Sequence, residues 1–507
     1  MKILLSTIKS DKPATELALK YMYSIVADAP VESQIHTFDT IELDNDIYEY
    51  ILRGQYTLVY LHCDEMNEYR ISRISEMVKK AMPTTIIVVG GIQVSFDTKQ
   101  FMQDNPCVDF VIRGEGETVF FNFIKTILTY EYEFDQIAGL AYRENDEIHV
   151  NPYDAIISID ELPFPYDKVE LKDSDTVYYE TIRGTSDRTI YRQYLPDARV
   201  RSLPLGRVCT ELRYFFVKGV EKVVFLDRWF NYNTERAYRI LEYIINNDNG
   251  KTSFELDIDG DSLDEETVRL LGEARPGLFE FNVDVASTNP ETLAAIGRGE
   301  NIYQLMYNVT KLMQLGNVKT RLRITAGLPM ETEELFARSF NKVYGLGEGS
   351  SLIIDTARVP RGCLLREDAG KFGYLYTSHA PYDVLANAFI SATDLIKIKT
   401  LAKVAGTFIN DNFKLSLARI LNDTGMKPYN LFIKLTDYIY DNGLNVKMNK
   451  QENLYRIMYS FAITLYDDLN DTLKLQILAE VLHEDLENNL SEEAVKKFER
   501  KGWEIEA

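Results

Sequence analysis

A run that ends in two glycines, VVGGIQVSF (Val88–Phe96), is the first stretch of this 507-residue chain that could hold a ligand. Glycine lets a backbone approach a bound molecule closely. Gly90 and Gly91 therefore suit a binding turn, with Val94 and Ser95 at the start of the following helix. A serine there bonds either a ligand or the local backbone, and a plain tight turn explains the same residues. RGEGE (Arg113–Glu117) repeats the pattern. Gly114 and Gly116 permit a second strand-to-helix turn. Glu115 and Glu117 fall in the first helical turn, where carboxylates favour the helix dipole, so capping accounts for them equally well. Further on, Glu255 and Asp257 alternate in SFELDI, and Arg321 and Arg323 alternate in KTRLRIT. Residues two apart on a strand share a face, and buried carboxylates need partners. These acids, with Arg183 and Arg192 nearby in type, read either as a substrate site or as an ion-pair network.

The remaining inventory is sparse. Cys63, Cys107, Cys209 and Cys363 are scattered, with no CxxC or CxxxCxxC grouping, so neither a disulfide framework nor a local thiolate site is expected. His62 and Cys63 close the run LVYLHC. Both read as structural in preference to metal ligands. No side chain is assigned to a metal. A net charge of −22 argues against nucleic acid as a partner. No stretch approaches the ~18 apolar residues of a membrane span, so no membrane partner is expected. The start, MKILLSTIKSDKPATE, turns polar too soon for a signal peptide, which makes the cytoplasm the expected compartment.

The elements that must position these residues fall into three regions. Residues 1–145 alternate five short apolar strands with helices, which predicts a Rossmann-like or flavodoxin-like α/β domain, a parallel sheet covered on both faces. Ligands of such sheets sit at the carboxyl ends of the strands, here Leu5–Ile8, Leu61–Asn67, Gly90–Phe96 and Arg113–Glu117. Residues 146–175, broken by Pro152, Pro163 and Pro165, read as a linker. Residues 176–375 hold six strand candidates (177–182, 220–226, 253–258, 278–285, 319–325 and 352–357) with helices between them. That pattern predicts a partial (β/α)6 barrel, an open relative of the eight-unit barrel. Residues 376–507 read as an all-α C-terminal region, with helices expected at 384–405, 431–440, 454–465 and 472–486. It either caps the barrel or meets a partner protein.

Taken together, the two glycine turns resemble those of the cobalamin-binding domain of cobalamin-dependent radical S-adenosylmethionine (SAM) enzymes. The resemblance continues in order through LPFPYDK (Leu162–Lys168), YYETIRG (Tyr178–Gly184), VEKVVFLDRWFNYN (Val220–Asn233), ASTNPETLAAIGR (Ala286–Arg298) and ITAGLPMET (Ile324–Thr332). It implies cobalamin as cofactor, held by Gly90, Gly91, Val94, Ser95, Gly114, Glu115 and Gly116. Loops at Ser6, Thr7, Cys63 and Asn67 would lie near its faces. It implies SAM at barrel strand ends that match Asp227, Arg228, Glu255, Ser287 and Ala326–Leu328, Gly327 among them.

The chain departs from the family where the family binds an iron–sulfur cluster. The loop that reads RGCxxxCxxC there reads RGTSDRTIYR (Arg183–Arg192) here, with Thr185, Thr189 and Arg192 at the cysteine positions. Iron–sulfur clusters take thiolate ligands, and hydroxyl and guanidinium groups offer none. The expectation is therefore no iron–sulfur cluster and a polar methyl or alkyl transfer in place of radical chemistry. Arg192, Glu255 and Asp257 are the residues expected to contact a small-molecule or peptide substrate, or SAM. In this expectation Arg192 grips the SAM carboxylate. The DxHxxG motif of other cobalamin proteins is also absent. The alternative is an inactive relative that binds cobalamin or substrate for another enzyme.

Overall fold

The computed structural model describes all residues except 11–13, 154–157, 185–188, 194–198, 300, 348–351, 410, 468–471 and 504–507. Seven strands form the first sheet: β1 (Lys2–Ile8), β2 (Glu32–Phe38), β3 (Leu58–His62), β4 (Ile86–Gly90), β5 (Phe110–Ile112), β6 (Leu140–Glu144) and β7 (Glu147–Val150). Their order is β2-β1-β3-β4-β5-β6-β7. The first five are parallel. β1, β3 and β4 are buried along nearly their whole length, because helices cover both faces; hence their unbroken apolar runs. The chain reverses direction across the sheet between β1 and β3, which creates a switch point at their C-terminal ends.

β6 and β7 are an antiparallel hairpin on the β5 edge. The sequence pattern does not predict this pair. Asn145 and Asp146 turn the hairpin with φ of 48° and 67°, a turn usually announced by glycine. The sheet therefore runs to Val150, past the expected boundary at residue 145.

The second sheet begins with β8 (Thr176–Tyr179). A two-stranded ribbon follows, β9 (Ile182–Arg183) with β10 (Arg201–Ser202). Then come β11 (Lys222–Phe225), β12 (Ser253–Ile258), β13 (Phe279–Ala286), β14 (Lys319–Ala326) and β15 (Leu352–Thr356). The order β15-β14-β13-β12-β11-β8 is sequential and wholly parallel, a six-stranded partial barrel. Alternation along the strands decides its character. Phe254, Leu256, Phe281, Val283 and Leu322 join the core beneath the outer helices. Glu255, Asp257, Asn282, Asp284, Arg321 and Arg323 face the other way and are only half-buried. The inner face is thus a polar surface, unlike the packed interior of a closed barrel.

β16 (Leu375–Tyr376) and β17 (Val384–Ala386) form a small hairpin. The helix expected from Val384 begins instead at Ala392, where Ser391 accepts the Asp394 N–H at 3.1 Å, as an N-cap serine does. The C-terminal region is helical from there and packs on the barrel. Helix Ala392–Phe408 lies on β15. Tyr429 donates its backbone N–H to Asn341 (2.8 Å) and its hydroxyl to Glu333 (3.0 Å). Among the described residues no helix is long and apolar enough to cross a membrane.

Candidate functional site

The C-terminal ends of the first sheet face the barrel across a cleft, and glycines form its floor. A Cβ on Gly90 would lie 2.3 Å from the Tyr60 hydroxyl. Gly91 has φ of 113°, and a Cβ there would lie 2.3 Å from the Cys63 carbonyl. Neither position accepts a side chain. Ser95 donates to the Gly91 carbonyl (2.8 Å) and accepts the Gly114 N–H (2.8 Å). The serine of the first motif therefore fastens the turn of the second. Ser95 is committed to backbone and Val94 to the core, so neither presents a side chain to a cofactor as the resemblance implies. Gly91, Gly114 and Gly116 line a cavity of about 380 Å³ with His62, Glu115 and Glu117, closed on the barrel side by Arg183, Leu226 and Arg228.

Arg183 crosses the cleft. It bonds Glu117 and Glu180, each at 2.5 Å, and lies 3.4 Å from Glu115. Arg201 pairs with Glu115 from the barrel side. Burial disfavours the charge on Arg183, but Glu117 and Glu180 outweigh it and raise the guanidinium pKa. Burial likewise opposes ionisation of Glu117, and Arg183 overcomes it, so the carboxylate stays below its usual range. Glu115 and Glu117 are thus interdomain ion-pair partners more than helix caps.

β3 decides which of its last residues meets the cavity. Cys63 joins the core with Val59 and Leu61, and burial pushes its thiol pKa up. It lies away from the cofactor cleft where the resemblance implied it. His62 lies on the opposite face, lines the cavity, and places Nδ1 3.2 Å from the Tyr60 hydroxyl. Burial holds its pKa down at about 4, against Asp64 and Glu117, so the ring is uncharged at neutral pH. Ser6 donates to the His36 carbonyl (2.6 Å). Asn67 donates to Thr7 Oγ1, the Ile8 carbonyl and the His62 carbonyl. Ser6 and Asn67 therefore brace β1, β2 and β3 and are not free for a ligand. Thr7 lines a second cavity, of about 440 Å³, with Thr15, Tyr178, Lys222 and Glu255.

That second cavity reaches the inner face of the barrel. There Lys222 pairs with Glu255 and with Glu280. Arg321 pairs with Glu280 and lies 3.7 Å from Glu255. Asn282 donates to Glu255 (3.0 Å) and Asp257 (2.9 Å). Burial acts against ionisation of Glu255, but Lys222 and Asn282 overcome it and lower its pKa. Burial wins at Asp257 and raises its pKa against Asn282, Arg323 and Arg192. Among the described residues Asp257 makes no ion pair. Arg192 is paired with Asp284, which also lies 3.6 Å from Arg298. The guanidinium expected to grip a SAM carboxylate is therefore already engaged.

Three of the expected SAM positions are structural instead. Asp227 is fully buried and accepts the Thr181 N–H (2.6 Å), the Ile182 N–H (2.9 Å) and the Thr181 hydroxyl. It closes the turn between β8 and β9, and burial, opposed by these bonds, pushes its carboxyl up to about 6. Ser287 is fully buried and donates to Glu331 (2.5 Å). The Gly327 carbonyl accepts the Tyr374 hydroxyl (2.8 Å) and Asn387 Nδ2 (3.0 Å). Arg228 does reach the cleft.

Thr185 lies outside the described residues. Thr189 is buried. The loop around it is fastened by backbone: the Ile190 N–H donates to the Ile296 carbonyl (3.0 Å), and the Leu365 N–H to the Ile190 carbonyl (2.7 Å). Gln193 forms a β-bridge with Cys363. Cys363 is a single thiol, with its pKa pushed up to about 11 by burial. A hydroxyl and an engaged guanidinium do not fit an iron–sulfur cluster, which takes thiolates.

Comparison with known proteins follows the same division. Residues 1–124 match the B12 binding domain family, and residues 191–343 match the Radical SAM superfamily. The chain joins a B12-binding domain to a radical SAM domain. Residues 370–505 match a protein family of unknown function, DUF4080. An uncharacterized methyltransferase of Pyrococcus horikoshii is 26% identical over 331 residues, 63% of this chain and 70% of that one. The radical SAM methyltransferase TsrM from Kitasatospora setae, solved with cobalamin and a [4Fe-4S] cluster, superposes with a TM-score of 0.58 at 16% identity over 76% of this chain and 79% of that one. The cobalamin-dependent SAM radical enzyme OxsB, solved with aqua-cobalamin, gives 0.63 at 14% identity over 99% and 83%. Both are likenesses of fold. The strand ends of the B12-binding domain carry Gly91, Gly114 and Gly116 where a Cβ would collide with Cys63, Tyr153 and Met22, and the same cavity is lined by the uncharged ring of His62.

Sequence reasoning missed Glu180, Arg201, Lys222, Glu280, Asn282, Asp284 and Glu331. The alternation in FEFNVDVA places three of these on one face of β13, and that signal was available.

Proposed function

We propose that this chain holds cobalamin between its B12-binding and radical SAM domains. It passes a methyl group, by a polar and cluster-free route, to a small molecule held on the inner face of the barrel. The supporting observation is the donor set of loop 183–192, where Thr189 is buried and Arg192 is bound to Asp284. Cobalamin, when bound, supplies a cobalt centre that can accept and pass on a methyl group.

The chain's own residues do the positioning. Gly91, Gly114 and Gly116 line the cleft at the strand ends, and Arg183 fixes the two domains across it. Lys222, Glu255, Glu280 and Arg321 present both signs of charge, which orients a polar substrate. Asp257, its pKa raised by burial and without an ion pair among the described residues, takes the proton that the accepting nucleophile loses as its bond to the methyl carbon forms. The methyl moves as a cation equivalent, so no net oxidation or reduction occurs and no electron donor is consumed. S-adenosylmethionine is the donor that the radical SAM domain suggests.

The test is product analysis after anaerobic incubation of the full chain with cobalamin, a low-potential reductant and SAM. S-adenosylhomocysteine without 5′-deoxyadenosine is expected. Stoichiometric 5′-deoxyadenosine would overturn the polar route.

A further inference from the structure

We propose that His62 provides an axial ligand to the cobalt of the bound corrinoid through Nε2. The proposal rests on the cobalamin reading above. His62 ends β3 beside the switch point and pairs in register with Gly90 of β4. Its backbone is fixed from two directions, because its carbonyl accepts the Thr7 hydroxyl (2.9 Å) and Asn67 Nδ2 (3.3 Å). Its ring is fixed by the Tyr60 hydroxyl, 3.2 Å from Nδ1.

A metal-bound imidazole needs a lone pair on one nitrogen and a hydrogen bond at the other that sets tautomer and orientation. Tyr60 serves that second role: its oxygen accepts Nδ1–H and leaves the Nε2 lone pair for the cavity. The purely structural alternative, a histidine held as half of an ion pair, does not describe this ring. Among the described residues no carboxylate forms an ion pair with it. Two acids bear on the ring: Asp64, which accepts from Ser10, Thr15, Met66 and Asn67, and Glu117, which is paired with Arg183. Gly91, Gly114 and Gly116 line the same cavity as the ring. The chain lacks the DxHxxG loop, so ligation here comes from a strand end braced by the residue two positions before it.

The test uses the full chain labelled with ¹⁵N-histidine, loaded with hydroxocobalamin, reduced to the Co(II) state and read by electron paramagnetic resonance. Histidine ligation splits each cobalt line into two, because ¹⁵N has spin one-half. The cofactor's own ¹⁴N base would split each line into three. Doublets are expected, and His62→Ala that still retains the corrinoid loses them. Of the five histidines, His62 is the one on this cavity. Triplets, unsplit lines, or doublets that persist in His62→Ala would overturn the assignment while leaving cobalamin binding intact. The labelled parent protein decides between doublets and their absence even where the variant fails to fold. Failure to retain any corrinoid would overturn the cobalamin reading and this proposal with it.

Discussion

Replacing Glu331 with glutamine should stabilise the radical SAM domain at pH 8 and destabilise it slightly at pH 5. The folded carboxyl has its pKa pushed up from 4.5 to about 8 by burial, with the Ser287 hydroxyl as its opposing hydrogen bond. Its Oε2 has no hydrogen-bond partner among the described residues. Between those two pH values the folded state keeps a proton that the unfolded state releases. The stability that this one group contributes is therefore fully present below pH 4.5 and is lost as pH rises through 8, by up to about 1.4 kcal/mol per pH unit and roughly 5 kcal/mol in all. Glutamine keeps the acceptor for Ser287 and never ionises. It leaves an unpartnered N–H in place of the orphan oxygen, at a cost of about 1–3 kcal/mol. At pH 8, where about 4 kcal/mol of that contribution is already gone, the net gain should be about 1–3 kcal/mol. Urea unfolding at pH 5, 6, 7 and 8, followed by Trp229 fluorescence in a Trp503→Phe background, reads the barrel alone, since Trp229 lies in the loop after β11 and Trp503 is the only other tryptophan of the sequence. Parallel pH dependence in parent and variant would refute the reasoning, because it would mean that Glu331 is ionised in the folded barrel.

Gly91→Ala should cost about 3 kcal/mol or more, from left-handed strain and collision with the Cys63 carbonyl. Thermal melts and corrinoid absorbance should show stability and binding lost together; full stability with binding alone lost would refute the packing argument. Arg183→Met leaves Glu117 and Glu180 without their shared cation, at a cost of about 3–5 kcal/mol. Limited proteolysis should then cut between the domains, within residues 146–175, and an unchanged cleavage pattern would count against the clasp. Asp227→Ala strands the Thr181 and Ile182 N–H groups and should destabilise the barrel by about 2–4 kcal/mol. Weakened SAM binding without loss of stability would instead make Asp227 a ligand.

Much of this architecture is legible in the sequence because periodicity reports burial. The continuous runs of β1, β3 and β4 announce a covered parallel sheet, and the alternation in β12 and β14 announces a two-faced barrel wall. The β6–β7 hairpin escapes because its turn uses Asn145 and Asp146 without a glycine. Site roles are less legible, because residue type does not tell which long-range partner a side chain meets. Ser95, Asp227 and Ser287 have the polarity of ligand contacts, yet each bonds a neighbouring turn, backbone N–H or carboxyl group. Cys63 and His62 are adjacent, and only the facing of β3 determines which reaches the cavity.

The most direct test of cobalamin chemistry without a cluster is one anaerobic preparation. The full chain is incubated with iron, sulfide and hydroxocobalamin, desalted, and measured for absorbance and for iron per chain. The expected result is a corrinoid spectrum near one equivalent, with no broad iron–sulfur shoulder and negligible iron. About four irons per chain with that shoulder, or no corrinoid at all, would contradict it.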